Sequence, residues 1–361
     1  MSTQLNKPSL IQVAALTTGH NTPSTRFRVR QHINMLRQYD VSVTEYFPRI
    51  DKYMRIPFFL RGSRWEQNSL VDNLWRTIKL SARIPGYIAS QTSHITWLQR
   101  ELLPDHFTLE RYLKPPLVFD FDDAIWLLSP QANKAIAAIV QQSSLVVAGN
   151  QYLADWAKQH NPNVRIVPTA IDIERFYPRE TPKAENTGFI IGWTGTATNL
   201  PYLYDIEDSI HRFLMQHPLA NLLIVCERRP EFTKISDARV RYLPWSPEIE
   251  ASSIREMDVG LMPLPDNAWT RGKCSFKMLQ YMSSGIPCIV SPVGLNADIL
   301  KLGQIGTSAH CHDEWFNALS VYYNDHQLMQ MHGHNGRHVA EKQFSREVIS
   351  KELASLFHSL V

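Results

Sequence analysis

The chain has 361 residues, of which 44% are hydrophobic and 20% charged, and its formal net charge is +3. This length exceeds what one hydrophobic core usually organises, so two globular domains are expected. The small net charge gives no indication of nucleic-acid binding, and four scattered cysteines are too few for a disulfide framework or a tetrahedral zinc cluster. No stretch approaches the roughly 20 apolar residues that span a bilayer. The N-terminus lacks a secretory signal, so we expect a cytoplasmic protein.

The first half of the chain predicts a parallel sheet of the α/β class. Residues 11–16 form a buried apolar run, which leads through a Gly-, Asn-, Pro- and Ser-containing loop into a helix from about Arg26 to Tyr39. The loop lacks the Gly-x-Gly-x-x-Gly spacing of a dinucleotide site. Arg26, Arg28 and Arg30 either clamp an anionic ligand or form a solvated face. Further strands are predicted at residues 41–46, 94–98, 117–121, 145–148 and 164–167.

Carboxylates follow one of these strands directly. The apolar run that ends at Phe121 leads into Asp122 and Asp123, and parallel sheets bind ligands at the carboxyl ends of their strands. Both aspartates are therefore candidates for catalysis or acceptor binding. The structural alternatives are that Asp123 caps the following helix and that Asp120 pairs with an arginine.

Basic and bulky apolar residues are mixed between Arg49 and Trp65. Between residues 24 and 64, Lys and Arg outnumber Asp and Glu nine to three. Such a mixture suits either a surface that meets anionic lipid headgroups or a helical hairpin whose apolar side is core. The first alternative predicts peripheral contact with the inner face of a membrane.

A second α/β series follows a polar, proline-marked segment from Pro178 to Thr187, which we interpret as the linker. Residues 189–193 predict a strand, and Gly195 and Thr196 in the next loop either hold a phosphate or merely form the turn. Further strands are predicted at residues 222–226, 240–243, 259–262 and 288–291. The expected domains are residues 1–180, residues 181–343 and a C-terminal helix in residues 344–361 that packs back on the first domain.

The stretch from Arg271 to Val290 predicts a loop, a helix, a tight turn and a buried strand. Ser275 is a candidate N-cap, since apolar residues recur at helical spacing after it. Arg271 and Lys273 precede the helix and Lys277 lies in its first turn, where the helix dipole disfavours cations by about 0.3–1 kcal/mol each. A bound anion reverses that sign, so these residues predict a diphosphate site. The alternative is that the three charges point separately into water.

Histidine and cysteine pairs do not complete a metal motif. His310, Cys311 and His312 are contiguous, and His334 and His338 are one helical turn apart, but no further ligand completes either set. We therefore expect no metal and no resident cofactor.

These features together resemble the glycosyltransferase group 1 family, whose members are retaining, family 4-like enzymes of the GT-B architecture. That architecture has two Rossmann-like domains facing across a cleft. The resemblance covers nearly the whole chain and is carried by residues 166–176, 191–195 and 271–292. It implies that a nucleoside diphosphate sugar binds the C-terminal domain and an acceptor the N-terminal domain. It also implies that no metal is needed, because basic side chains such as Lys277 neutralise the leaving diphosphate, and it places Asp122 where the family has an active-site histidine.

The chain departs from the family pattern at two positions. Family members usually have glutamates where Gly272 and Gln280 stand here, within what looks like a sub-branch with the signature Arg-Gly-Lys-Cys-x-Phe-Lys-x-Leu-Gln-Tyr-Met. Gln280 can still hydrogen-bond a ribose hydroxyl, but it accepts through one oxygen where a carboxylate offers two. Asp266 or Glu227 are candidates to replace the carboxylate missing at Gly272. Trp245 follows a predicted strand and either stacks on the nucleotide base or belongs to the core.

The expected function is a retaining, metal-independent, hexosyltransferase-like enzyme of surface polysaccharide synthesis. It would move a sugar from a nucleoside diphosphate sugar to a glycan or lipid-linked acceptor. The alternatives are a nucleotide-sugar-binding protein without turnover and a GT-B-type nucleotide-sugar epimerase. The candidate catalytic residues are Asp122, Asp123 and Lys277, and the candidate donor-binding residues are Gly195, Thr196, Trp245, Arg271, Lys273, Ser275, Lys277 and Gln280.

Overall fold

The computed structural model describes residues 10–20, 22–54, 69–180 and 188–361. The chain divides into two compact units, Met1–Thr169 with Arg346–Val361, and Ala170–Ser345. The expected boundary after residue 180 therefore lies inside the second unit, while residues 181–187 of the expected linker lie outside the described residues. The C-terminal helix, Arg346–His358, belongs to the first unit.

A parallel sheet of six described strands forms the centre of the first unit. The strands are β1 (Ile11–Leu16), β2 (Val41–Tyr46), β3 (Ile95–Gln99), β4 (Leu117–Phe121), β5 (Leu145–Ala148) and β6 (Val164–Ile166). Their order is β2-β1-β3-β4-β5-β6. Strands β4 and β5 show no regular alternation of apolar and polar residues, and they are buried on both faces. This is typical of a parallel sheet that is covered by helices on both sides.

Besides the C-terminal helix, the described α-helices of the first unit are α1 (Pro23–Arg28), α2 (Ile33–Leu36), α3 (Ser69–Ser81), α4 (Ile84–Thr92), α5 (Pro130–Gln142) and α6 (Gln151–Lys158). The single helix expected from Arg26 to Tyr39 was wrong. Helix α1 begins at Pro23, whose fixed φ suits a first helical turn, and the backbone leaves the helical region at Val29 (φ −123°, ψ −64°). The rest of that range is made of short 3₁₀ turns and α2. The C-terminal helix packs its Phe357 ring edge-on against Trp97 of β3, with centroids 5.2 Å apart.

The second unit is built around another parallel sheet. Its described strands are β7 (Ile190–Thr194), β8 (Asn221–Cys226), β9 (Val240–Pro244), β10 (Val259–Met262), β11 (Cys288–Val290) and β12 (Gly306–Ser308). Their order is β12-β11-β10-β7-β8-β9. Strand β12 was not predicted, because its three residues carry no apolar signal. The helices are α7 (Leu200–Tyr204), α8 (Glu207–Gln216), α9 (Pro247–Arg255), α10 (Ala268–Arg271), α11 (Phe276–Ser283), α12 (Leu295–Leu300), α13 (His312–Asn324) and α14 (His326–Val339).

Helix α11 is packed tightly on this sheet. A Cβ on Gly260 of β10 would lie 2.4 Å from the Tyr281 ring, so glycine there lets the tyrosine rest against the strand. The Tyr281 hydroxyl donates to the carbonyl of Leu261 at 3.2 Å and accepts from the backbone N–H of Thr194 at 3.2 Å. These contacts set the position of α11 relative to β7 and β10.

The basic and aromatic stretch from Arg49 to Trp65 lies mostly outside the described residues. Lys52, which belongs to a basic surface in one of the two alternatives, is buried, and its Nζ contacts the Glu101 carboxylate at 2.6 Å. Burial outweighs the attraction of Glu101 and lowers the pKa of Lys52 to about 8. None of the described helices is both long enough and apolar enough to cross a bilayer.

Candidate functional site

The carboxyl edge of the second sheet carries most of the predicted donor residues. Strand β7 ends immediately before Gly195, β9 ends immediately before Trp245, and α11 begins at this edge because it runs back between β10 and β11. Parallel strands end at one edge, so loops distant in sequence meet there.

Ser275 stands at the N-cap position of α11, but its side chain makes no capping hydrogen bond, so the predicted cap was wrong. Its backbone is left-handed (φ 53°, ψ 26°), which is uncommon for a residue with a Cβ, and it is buried. The left-handed turn redirects the side chain away from the N–H groups that an extended N-cap residue would reach.

Lys277 and Gly195 lie against one another. A Cβ on Gly195 would be 2.6 Å from Lys277 Cε and 2.9 Å from two ring atoms of Trp193. Lys277 Nζ lies 5.6 Å from the centre of the Trp193 ring. The glycine therefore lets the lysine side chain pass close to the loop after β7, over an aromatic face.

The loop that contains Thr196 is braced internally. Thr196 Oγ1 lies 2.9 Å from Thr198 Oγ1 and accepts from Asn199 Nδ2 at 2.7 Å. Glu227, which follows β8, accepts from the backbone N–H of Ala197 at 2.7 Å. The Glu227 carboxylate thus lies beside this loop.

Arg271 is the last residue of the short helix α10, and Lys273 lies between α10 and α11. Arg271 binds Asp266 through two contacts, Nε to Oδ1 at 2.6 Å and Nη2 to Oδ2 at 3.1 Å, and both side chains are about half exposed. The hydrogen bond from Arg271 lowers the pKa of Asp266. Lys273 Nζ lies 5.1 Å from the centre of the Trp269 ring. Asp266, a candidate replacement for the missing glutamate, therefore has a cationic partner.

Gln280 and Trp245 meet at a carboxylate that the sequence analysis missed. Gln280 Nε2 donates to Glu250 Oε1 at 3.1 Å, and Trp245 Nε1 donates to the same oxygen at 3.3 Å. Arg175 Nη2 contacts Glu250 Oε2 at 2.8 Å. Glu250 is buried on α9 beside Ala251 and Ile254, so a carboxylate next to apolar residues, in a segment for which no helix was predicted, was the available signal.

Asp122 and Asp123 lie at the carboxyl edge of the first sheet and share Arg100. The guanidinium contacts Asp122 at 2.7 and 3.0 Å and Asp123 at 2.5 Å. Burial opposes ionisation of Asp122, but Arg100 and Arg28 outweigh it and lower its pKa. Arg100 itself has a left-handed backbone (φ 59°) just after β3. The arginine could have been found from the sequence, because it lies two residues after the strand predicted at residues 94–98, at the same edge.

The arginines that follow the first loop have structural partners. Arg28 is buried and donates to Asp120 at 2.8 Å and to the carbonyl of Val167 at 2.7 Å. The alternative in which Asp120 pairs with an arginine is therefore confirmed. Arg30 binds Glu45 through Nε and Nη2 at 2.8 and 2.7 Å. Neither arginine belongs to a solvated face.

The part of the chain that the structure describes brings no three His, Cys, Asp or Glu side chains into a metal-binding group. His312, one of the residues with metal-ligand spacing, lies 3.1 Å from Ser209 Oγ through its Nδ1 atom.

Solved structures with the same architecture include glycosyltransferases. Sucrose-phosphate synthase from Thermosynechococcus elongatus has a TM-score of 0.71 to this chain, at 14% identity, over 97% of this chain and 99% of that one. Anabaena HepE in complex with UDP and glucose has a TM-score of 0.67, at 13% identity, over 97% and 100%. WaaG, a glycosyltransferase involved in lipopolysaccharide biosynthesis, has a TM-score of 0.64, at 12% identity, over 96% and 99%.

The chain has the GT-B fold. No protein-family model and no curated protein matches the sequence. At these identities the likeness establishes the fold, and the activity of this GT-B chain depends on the residues at its own site.

Proposed function

We propose that the chain is a retaining, metal-independent glycosyltransferase that uses a nucleoside diphosphate sugar as donor. The observation that carries the proposal is the apposition of Lys277 and Gly195 where α11 begins. The Lys277 ammonium group lies near the Gly195 backbone and the N-terminus of α11. A cation in that position can stabilise the phosphates of a leaving nucleoside diphosphate. Anabaena HepE, a solved neighbour of the same fold, is in complex with UDP or with UDP-glucose in its structures.

Each predicted residue then has a stated role. Lys277, Arg271 and Lys273 would neutralise the diphosphate, while the Ser275 turn and the Gly195–Thr196 loop would supply close backbone contacts. Gln280 would accept a hydrogen bond from the ribose, and Trp245 would stack on the base. Because cations supply the compensating charge, the reaction would need no divalent metal.

The first unit would bind the acceptor, with Asp122 and Asp123 at its sheet edge. The pairing with Arg100 keeps Asp122 ionised. The Asp122 carboxylate is therefore better suited to accept hydrogen bonds from sugar hydroxyls than to donate a proton. In the retaining mechanism, the acceptor hydroxyl attacks the face that the diphosphate leaves, and the donor phosphate receives its proton. We further propose a glycan or lipid-linked acceptor, surface polysaccharide synthesis and peripheral contact with an anionic membrane.

One observation favours a second candidate, a nucleotide-sugar-binding protein without turnover. Gly272 supplies no carboxylate, and the two candidate replacements are engaged elsewhere, Asp266 with Arg271 and Glu227 with Ala197. A donor sugar would then lack the acidic contact that the resemblance implies.

The test is calorimetric binding of UDP, GDP and ADP, and of their glucose conjugates, in buffer containing EDTA. We expect one diphosphate to bind, and Lys277→Ala to weaken it by about 10- to 150-fold, the equivalent of a charge-assisted contact of roughly 1.5–3 kcal/mol. Lys301→Ala is the matched control, because Lys301 is exposed in the same unit before β12, at the opposite edge of the sheet. If no diphosphate binds, or both variants weaken binding equally, the proposal is wrong.

Turnover separates the alternatives. Incubation of the bound nucleotide sugar with the protein and a mixture of glycan and lipid-linked acceptors should release nucleoside diphosphate only when acceptor is present. Binding without release supports the non-catalytic candidate, and conversion of the donor sugar without an acceptor supports the epimerase. Release that requires Mg²⁺ contradicts metal independence.

A further inference from the structure

Glu250 is a buried carboxylate whose neighbours are hydrogen-bond donors. Gln280 and Trp245 donate to Oε1 at 3.1 and 3.3 Å, and Arg175 donates to Oε2 at 2.8 Å. Glu250 and Gln280 are only 5% and 3% exposed, so water does not replace these partners. Burial raises the pKa of the Glu250 carboxyl, and Arg175, Trp245 and Gln280 act against that rise. Donors on both oxygens favour the ionised carboxylate, because a proton on it would face another donor.

This charge determines which way the Gln280 amide points. An ionised carboxylate accepts hydrogen bonds and donates none, so the NH₂ end of the amide has to face Glu250. The amide oxygen of Gln280 therefore points away from Glu250. The same carboxylate oxygen also accepts from the Trp245 indole, and Trp245 is 37% exposed.

We propose that Glu250 is a positioning residue for the ribose and base of a nucleoside diphosphate, acting through Gln280 and Trp245. It presents the Gln280 carbonyl oxygen to a ribose hydroxyl and holds the Trp245 ring for the base. This inference rests on the proposed function, since it assigns the ligand that Gln280 and Trp245 meet.

The pair also accounts for the departure from the family pattern at position 280. Glu250 Oε1 lies 3.1 Å from Gln280 Nε2. With Glu250 ionised, a glutamate at position 280 would therefore place two carboxylates against each other in a buried site. An amide at 280 turns that repulsion into a hydrogen bond. Gln280 and Glu250 are therefore expected to tolerate exchange together better than Gln280→Glu alone.

The experiment compares the wild type, Gln280→Glu, Glu250→Gln and the double exchange. Calorimetry with UDP, GDP and ADP and their 2′-deoxy counterparts gives affinity and the preference for ribose, and thermal unfolding gives stability. Glu248→Gln is the matched control, because Glu248 is exposed on the same helix, two positions before Glu250. It removes the same charge without touching Gln280.

We expect Gln280→Glu to weaken the best diphosphate by about 10-fold or more and to lower the melting temperature. The double exchange should recover part of both losses, because one amide and one carboxylate again face each other. Glu250→Gln should reduce the preference for the ribonucleotide, since the Gln280 amide is no longer forced into one direction. Glu248→Gln should leave the preference unchanged. That ratio reports on positioning, because a purely structural loss would weaken both nucleotides alike.

Equal behaviour of wild type and Gln280→Glu, or additive losses in the double exchange, would overturn the pairing. An unchanged ribose preference in Glu250→Gln would overturn the positioning role. Should Gln280→Glu fail to fold, the recovery or failure of the double exchange still decides the pairing. If the wild type binds none of the diphosphates, the proposed function and the positioning role both fall. Melting temperatures would still test the Gln280–Glu250 pair by itself.

Discussion

Replacing Gly195 by alanine tests whether the close approach of Lys277 to the loop after β7 matters for ligand binding. The added Cβ would lie 2.6 Å from Lys277 Cε and 2.9 Å from Trp193 Cζ2 and Cη2. The lysine stem is flexible and can move, whereas the Trp193 ring is buried and cannot move without disturbing its neighbours. The substitution should therefore displace Lys277 and also strain the core.

The substitution should lower both the free energy of unfolding and the affinity for a diphosphate. Overpacking against Trp193 should cost about 1–3 kcal/mol of unfolding free energy. Displacing the ammonium group from a phosphate should cost up to about 1.5–3 kcal/mol of binding, or about 10- to 150-fold in affinity. The backbone φ at Gly195 is not positive, so the effect is one of contact and not of backbone strain.

The assay is a double-mutant cycle of Gly195→Ala and Lys277→Ala, measured by calorimetry with the best-bound diphosphate and by urea unfolding. In the Lys277→Ala background, Gly195→Ala should cost little further affinity, because the displaced side chain is already absent. The stability loss should persist, because the Trp193 contact remains. Gly303→Ala is the control, since its Cβ would meet only Ile305 Cγ2 at 3.6 Å. Unchanged affinity in Gly195→Ala, or equal affinity losses in both backgrounds, would refute the reasoning.

Further predictions concern stability. Burial and two nearby arginines lower the pKa of His32 to about 3, so below pH 6.5 the unfolded chain gains a proton that the folded chain lacks. This should cost about 2 kcal/mol at pH 5 relative to pH 7, a change that His32→Gln should abolish in urea unfolding. Arg100→Met should cost about 3–5 kcal/mol of unfolding free energy, because it removes the guanidinium that pairs directly with the buried Asp122, and a loss below 1 kcal/mol would contradict this. Arg337 donates to three backbone carbonyls at 2.7–3.1 Å, so Arg337→Met should destabilise the second unit by about 1–3 kcal/mol in the same assay.

The sequence alone determined the elements whose signal is local. Apolar runs placed β1, β4, β5 and β10 at their observed bounds, because a strand buried on both faces needs continuous apolar residues. Alternation of apolar and polar residues placed β2 at its observed bounds. The same reasoning placed Asp122 directly after a strand, and Gly195 and Trp245 in the loops that follow strands. Since parallel strands end at one edge, these residues could be assigned to sheet edges without knowing what they touch.

Local patterns were insufficient where the backbone departs from regular geometry. Serine is a preferred residue type at N-cap positions, yet the left-handed backbone of Ser275 turns its side chain away from the helix N–H groups. The helix expected from Arg26 is interrupted at Val29. Strand β12 contains no apolar run from which it could have been predicted. Propensity describes the average environment of a residue, and packing against the rest of the unit overrides it at such points.

Only the tertiary structure decided which side chains meet. Gln280 and Glu250 are 30 residues apart, and Arg100 and Asp122 are 22 apart, so no helical or strand period relates them. Their pairing follows from strand order, which brings α9 beside α11 and β3 beside β4. Because the charge and direction of a buried polar group depend on its partner, the ionisation of Asp122 and the orientation of the Gln280 amide could come only from the fold.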